Sequence, residues 1–298
     1  MQEANDINPL SRSAVTVGTF DGVHRGHREV VDFLLSESSK RDLRPVVITF
    51  EPHPLAVVAP ERAPKLLELP WEREKCLREM GVEVVVLRFN EELRRLTAAQ
   101  WLRRLHDEYG AELVVAGFDN TFGCDGMSMS LADYRNLAEP MGLDVVQAPV
   151  LEGVSSTLIR RALGKGDVKD AARMLGHPYS ISGIVTHGRE LGRKIGFPTA
   201  NLLPDPTLLL PAPGVYAADA VLSNGEKHRA VVNIGTAPTV ATGLPLTVEA
   251  HIIDFTGDLY NTTLRLDFLC RLRDESRFPD LDSLKTHIRL DIENAKKV

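Results

Sequence analysis

His24 and His27 stand three residues apart in a stretch that carries glycine at positions 18, 22 and 26, Gly18-Thr19-Phe20-Asp21-Gly22-Val23-His24-Arg25-Gly26-His27. An imidazole donates to phosphate oxygens whether neutral or charged, and glycines let the backbone turn sharply and lie against a polyphosphate. An apolar run, Ala14 to Val17, precedes the turn and a helical-looking stretch, His27 to Leu35, follows it. A helix starting there offers unpaired N–H groups and a positive dipole end to an anion. With the helix beginning near His24, both imidazoles fall on one face, placed to stabilise charge that builds on phosphorus oxygens during displacement. A bare His-x-x-His is more often a pair of surface histidines. Three glycines, a strand before and a helix after favour the phosphate-handling turn.

Two further stretches have the same character. Ser155-Ser156-Thr157-Leu158-Ile159-Arg160-Arg161 opens a helix with three hydroxyl residues and adds guanidinium groups within two turns, which suits phosphate as well as it suits simple capping. Between Gly183 and Asn201, Gly188, Gly192 and Lys194 make a second candidate phosphate loop. Thr199 and Asn201 are two apart, so in an extended segment their side-chain oxygens face one side, where they suit a magnesium ion bridging phosphates. Taken alone, Thr-x-Asn reads as a polar pair on a strand edge.

Strand and helix alternation predicts how the first of these groups is positioned. Short valine-rich runs at Ala14–Val17, Val46–Phe50, Val82–Phe89, Leu113–Ala116 and Val145–Val150 alternate with helical segments, of which Thr97 to Tyr109 is clearest: Thr97 and Gln100 form a capping box and Gly110 ends it. This pattern predicts an α/β domain with a parallel sheet and helices on both faces, its ligands beyond the carboxyl ends of the strands. Gly18–His27, the loop Pro52-His53-Pro54, Asp119 and Ser155–Thr157 then share one rim. A helix follows Asp167, stopped by Gly176, His177 and Pro178. Beyond Ser180 the texture changes to β-like runs at Ile181–Val185, Val215–Leu222, Arg229–Ile234, Thr247–Asp254 and Leu264–Leu272, which predict an antiparallel β-barrel, with a terminal helix over Asp282 to Lys297. Two domains are expected, 1–179 and 180–298.

The chain has 298 residues, a formal charge of −6 and three widely spaced cysteines, Cys76, Cys124 and Cys270. That balance gives no basic field for nucleic acid, and the cysteine spacing fits neither a disulfide framework nor a zinc site. A polar N-terminus and the lack of a long apolar window predict a cytoplasmic protein, neither exported nor membrane-spanning. Self-association is left open.

Together these stretches resemble the bifunctional bacterial riboflavin kinase and FMN adenylyltransferase family, the FAD synthetases. The resemblance runs from about Ala14 to about Lys297 and rests on Gly18–His27, Thr49–Pro54, Ser155–Arg160, Gly196-Phe197-Pro198-Thr199-Ala200-Asn201, Pro213–Tyr216, Asn233–Thr239 and Leu272–Glu275. It implies a Rossmann-like nucleotidyltransferase domain followed by a riboflavin kinase barrel. Riboflavin, FMN and ATP are then the substrates, FMN and FAD the products, and magnesium the cofactor. On the transferase side it implies that Gly18, Phe20, Asp21, His24, Gly26, His27, Asp119, Ser155, Ser156 and Arg160 bind ATP, while Pro52, His53 and Pro54 border FMN. His24 and His27 act there as catalytic groups. On the kinase side it implies ATP contacts from Gly188, Gly192, Lys194, Thr199 and Asn201, with the last two holding the metal, and Glu275 as the base. Without the family pattern Glu275 reads as a solvent-facing residue of a charged stretch. Asn120 and Thr121 stand where members often carry an aromatic and an arginine; Val240 and Asn261 also depart from the pattern.

Overall fold

The computed structural model describes residues 12–118, 121–188, 191–236 and 246–298. Contacts divide the chain into two compact units, Met1–Val154 and Ser155–Val298. The sequence texture changes later, at Ser180. The helices between these positions pack with the barrel: the Leu163 carbonyl accepts from the Ala212 amide, and Gly166 lies against Arg271 and Tyr216.

In the first unit, β1 (Ser13–Val17), β2 (Arg44–Glu51), β3 (Glu83–Arg88), β4 (Ala111–Ala116) and β5 (Asp144–Gln147) form one parallel sheet in the order β3-β2-β1-β4-β5. The helices are α1 (Arg25–Arg41), α2 (Pro54–Val58), α3 (Pro70–Glu79), α4 (Glu91–Arg94), α5 (Ala98–Tyr109) and α6 (Leu131–Ala138). Alternate strand residues serve opposite faces. Val15, Val46, Ile48 and Val114 pack with Trp101, Leu102 and Leu105 of α5, while Ala14, Val47, Leu113 and Val115 pack with Val31 and Leu34 of α1 and Leu77 of α3. The chain leaves β1 for β2 on one side and later returns to β4 on the other, so the sheet reverses direction beside β1. That reversal opens a crevice at the strand carboxyl ends, where the Gly18–His27 turn begins.

The predicted capping box of α5 is present: Thr97 Oγ1 accepts from the Gln100 amide and Gln100 Oε1 from the Thr97 amide, with Gly110 left-handed at the far end. Asp167 caps its helix as expected.

The second unit opens with α7 (Ser156–Gly164) and α8 (Val168–Leu175), then builds a closed antiparallel barrel. Its strands are β6 (Tyr179–Thr186), β7 (Ala200–Pro204), β8 (Gly214–Val221), β9 (Lys227–Thr236), β10 (Leu246–Ile252) and β11 (Thr263–Arg273), ordered β10-β7-β6-β11-β8-β9. A short α9 (Leu191–Ile195) lies between β6 and β7, and α10 (Leu281–Lys296) ends the chain. Closure removes the exposed edges an open sheet would present. Tyr179, Tyr216 and Phe268 are fully buried, with Phe268 meeting the Tyr216 ring edge-on at 5.5 Å between centroids.

Phe268→Ala is expected to destabilise the second unit by about 3–5 kcal/mol, read as a lower urea midpoint for that unit. The transition of the first unit should not move.

Candidate functional site

The turn after β1 is held in an unusual backbone path. Phe20, Gly22 and Val23 all have positive φ, at 49°, 83° and 33°, and the Val23 amide donates to the Phe20 carbonyl. Only glycine takes such values without strain, and a β-branched residue takes them least readily. Burial holds the path in place: Phe20 is 3% exposed and Val23 has no exposure. A Cβ on Gly18 would press against the Phe20 ring, and one on Gly26 against the His24 ring. Asp21, expected at ATP, is buried, and its carboxylate accepts from the Leu67 amide at 3.0 and 3.3 Å. It ties the turn to the segment that leads into α3.

His24 and His27 come together as their spacing predicted. His24 is the N-cap of α1, its Nδ1 accepting from the His27 amide at 3.2 Å, and the two rings stack 3.5 Å apart at 14°. Because Nδ1 accepts, the ring proton sits on Nε2, which makes that atom a donor. His27 Nδ1 is buried with no hydrogen-bond partner. Burial first, then the His24 and Arg73 charges, hold the His27 imidazole well below its ordinary pKa. Two stacked imidazoles at a helix N-terminus do not both charge, and at least one remains neutral near pH 7.

The loop after β2 lies beside this turn. Gly18 N–H donates to the Ile48 carbonyl and Thr49 Oγ1 to the Thr19 carbonyl at 3.1 Å. His53, between Pro52 and Pro54, caps α2 by accepting from the Leu55 amide at 3.2 Å. Asp119 and Asn120 lie outside the described residues. Ser155, Ser156 and Arg160 belong to the second unit, where Ser155 caps α7 by accepting from the Leu158 amide. Ser155 thus serves as a helix cap, one of the two readings its sequence allows.

The second candidate site forms on the outside of the barrel. Along β10, Val248, Ala250 and Ile252 point inward and are buried, so Thr247, Glu249 and His251 face out. Glu249 pairs in register with Asn201 of β7 and Asn233 of β9, and residues opposite each other share a face. Gly188 lies against the Asn201 amide, where any Cβ would overlap it, and Gly192 lies against Phe197 and the Thr199 hydroxyl. His251 Nδ1 is 2.8 Å from the Pro198 carbonyl, bracing the residue before Thr199. The Glu275 carboxylate occupies the space a Cβ on Gly235 would take, and Gly235 pairs with Thr247 on the same outer face. Thus Gly188, Gly192, Thr199, Asn201 and Glu275 converge on one polar edge. Lys194 lies in α9, its side chain outside the described set, as is Val240.

Glu249 is the residue that sequence reading missed. Its only signal is alternation along 246–252, which places it outward but does not reveal Asn201 as its neighbour. The oxygens of Thr199 and Asn201 are hard donors suited to magnesium, with glycines closing on them. Among the described residues no cluster of three or more His, Cys, Asp and Glu forms a protein-only metal cage. An ion at Thr199 and Asn201 would complete its shell with phosphate oxygens and water, as magnesium commonly does.

A parallel α/β unit with a glycine turn and stacked histidines, followed by a barrel with a glycine-lined polar edge, defines a two-module nucleotide-handling protein. Residues 6–159 match the FAD synthetase family and residues 175–298 the riboflavin kinase family. Proteins named bifunctional riboflavin kinase/FMN adenylyltransferase from Pseudomonas fluorescens and Escherichia coli K12 are 36% and 39% identical, over 98% and 95% of this chain and 95% and 91% of theirs. The chain belongs to this bifunctional riboflavin kinase/FMN adenylyltransferase family. A crystal structure described as a macrolide-efflux protein from Streptococcus pneumoniae is also similar, with TM-score 0.90 and 34% identity, covering 98% of this chain and 96% of that one. That name differs from those of the curated relatives; among the described residues no helix is long and apolar enough to cross a membrane.

At about pH 6, below the usual histidine pKa, ring-nitrogen chemical shifts should show His27 still neutral. A protonated His27 signal at that pH would contradict the stacked arrangement with its enclosed Nδ1.

Proposed function

We propose that this chain makes FMN from riboflavin in its barrel and FAD from FMN in its α/β unit, using ATP in both steps. The observation that carries this reading is the presence, in one chain and in family order, of both phosphate-handling geometries. We take the catalytic division at residue 179/180, at the first residues of β6.

In the adenylyl transfer, an oxygen of the FMN phosphate attacks the α-phosphorus of ATP, the new P–O bond forms, and pyrophosphate leaves. Negative charge grows on the phosphorus oxygens as it does so. The His24 Nε2–H, His27 and the first N–H groups of α1 supply donors for it, in a turn already fixed before substrate arrives. Gly18, Phe20 and Gly26 shape the ATP side of the turn, while Asp21 serves it from behind through Leu67. Ser155, Ser156, Arg160 and Asp119 are assigned to the nucleotide on the family resemblance. Pro52, His53 and Pro54 border the FMN phosphate. No covalent enzyme intermediate is required.

In the kinase step, the ribityl hydroxyl of riboflavin attacks the γ-phosphorus of ATP, its proton passes to a carboxylate, and ADP leaves. Thr199 and Asn201 hold magnesium, which neutralises phosphate charge when bound. Gly188 and Gly192 let the backbone approach the phosphates, and Lys194 adds charge. The sequence reading gives the base role to Glu275. Glu249, directly across from Asn201, adjoins the metal pair, and we assign the proton to it, leaving Glu275 to orient the acceptor from over Gly235.

The unpaired thiols of Cys76, Cys124 and Cys270 and the charge of −6 support a cytoplasmic enzyme whose partners are small molecules rather than nucleic acid or membrane.

Glu249→Gln should lower riboflavin phosphorylation about 10²-fold or more and leave conversion of supplied FMN to FAD intact. Glu275→Gln should lower the same step less. A larger loss in Glu275→Gln returns the base role to Glu275. His27→Ala should do the reverse, slowing FAD formation about 10²-fold or more and sparing FMN formation. Loss of both steps in a folded single variant would contradict separate sites.

A further inference from the structure

Arg73 has almost no contact with water. It lies on α3, is 2% exposed, and ranks among the largest fully buried side chains of the chain. A buried guanidinium is costly to desolvate, and its retention calls for partners. Its Nη2 donates to the Phe50 carbonyl at 2.9 Å. Phe50 stands near the carboxyl end of β2, and the Pro52–Pro54 loop begins two residues later. The Asp21, Glu68, Glu51 and Glu74 side chains act on the same guanidinium electrostatically, and its own charge reaches His27. Asp21 in turn holds the Leu67 amide just ahead of α3. Arg73 Nε is buried without a hydrogen-bond partner, as is Oε2 of Glu68, whose carboxyl is pushed up to about 8 chiefly by burial, then by Glu72 and Asp21.

One side chain therefore touches the end of β2 and lies in the field of the glycine turn. Resting on the transferase reading above, we propose that Arg73 is a positioning residue for adenylyl transfer. It sets the Pro52–Pro54 loop, which borders the FMN phosphate, at a fixed height against the turn that carries His24 and His27. It does not touch the reacting atoms. Arginine suits the task because its planar fork holds the Phe50 carbonyl while its charge stays in the field of the surrounding carboxyl groups, whereas lysine offers a single point charge. Its second effect is electrostatic. The charged groups acting on His27 are its stacked neighbour His24 and Arg73, and removing Arg73 relieves part of what keeps His27 neutral. Glu68, which also feels the Arg28 and Glu72 charges, would then hold its proton to still higher pH, which affects the alkaline side only.

The test compares the full-length wild type with Arg73→Met and Arg73→Lys, measuring FMN adenylylation against pH and FMN concentration and riboflavin phosphorylation in the same preparations. Arg73→Met should lower kcat/KM for FMN by about 10²-fold, the size of effect expected when a reactant is misplaced by about 1 Å. Its KM for FMN should rise, its acidic limb should move to higher pH, and phosphorylation should be unchanged. Arg73→Lys, which keeps the charge, should restore the acidic limb but recover the FMN KM only in part. A folded Arg73→Met with wild-type KM and pH profile would overturn the proposal. If Arg73→Met does not fold, Arg73→Lys decides, and an unchanged FMN KM there overturns it. A wild type that makes no FAD from FMN removes the transferase reading first, and this proposal with it.

Discussion

The first unit depends on His24 doing two jobs at once. Its Nδ1 caps α1, which fixes where the helix starts, and the same bond fixes the ring plane so that His27 stacks on it. A helix beginning one residue earlier or later would lose both the cap and the stack, and its free N–H groups would point elsewhere. The positive φ values at Phe20, Gly22 and Val23 are tolerated because the same turn buries Phe20 and Val23 and anchors Asp21 on Leu67. Local strain is thus offset by packing, and the donors stand ready before any phosphate arrives.

The barrel reaches a comparable result by different means. It contributes closure, which fixes register, and register sets Asn201, Glu249 and Asn233 side by side on one outer face. Glycines at 188, 192 and 235 are required there because a methyl group would overlap Asn201, Phe197 or Glu275. Each unit therefore gives backbone room to an anion and supplies side chains from a rigid element beside it.

Local features were legible in the sequence and distant ones were not. The His24–His27 spacing, the Thr97–Gln100 box and the Asp167 cap are written within one or two turns, and the structure contains each of them. The parallel sheet and the barrel followed from alternation and spacing. The contact of Asp21 with the Leu67 amide is hidden because nothing nearby in sequence reveals Leu67 as its partner, and Glu249 went unnoticed because its meeting with Asn201 depends on a pairing between β7 and β10. Arg73 does not stand out in the sequence, since burial of one arginine among Glu72, Glu74 and Lys75 leaves no periodic mark. The change of texture at Ser180 marks where strands begin, whereas packing groups α7 and α8 with the barrel. Long-range pairing and burial of charge are the two things a single sequence conceals.

The most direct measurement of the central claim is a time course of the purified chain with riboflavin, ATP and magnesium, separating riboflavin, FMN and FAD by chromatography. Two coupled sites in one chain predict FMN first and FAD growing at its expense. A protein that binds flavin but yields neither product would contradict the account.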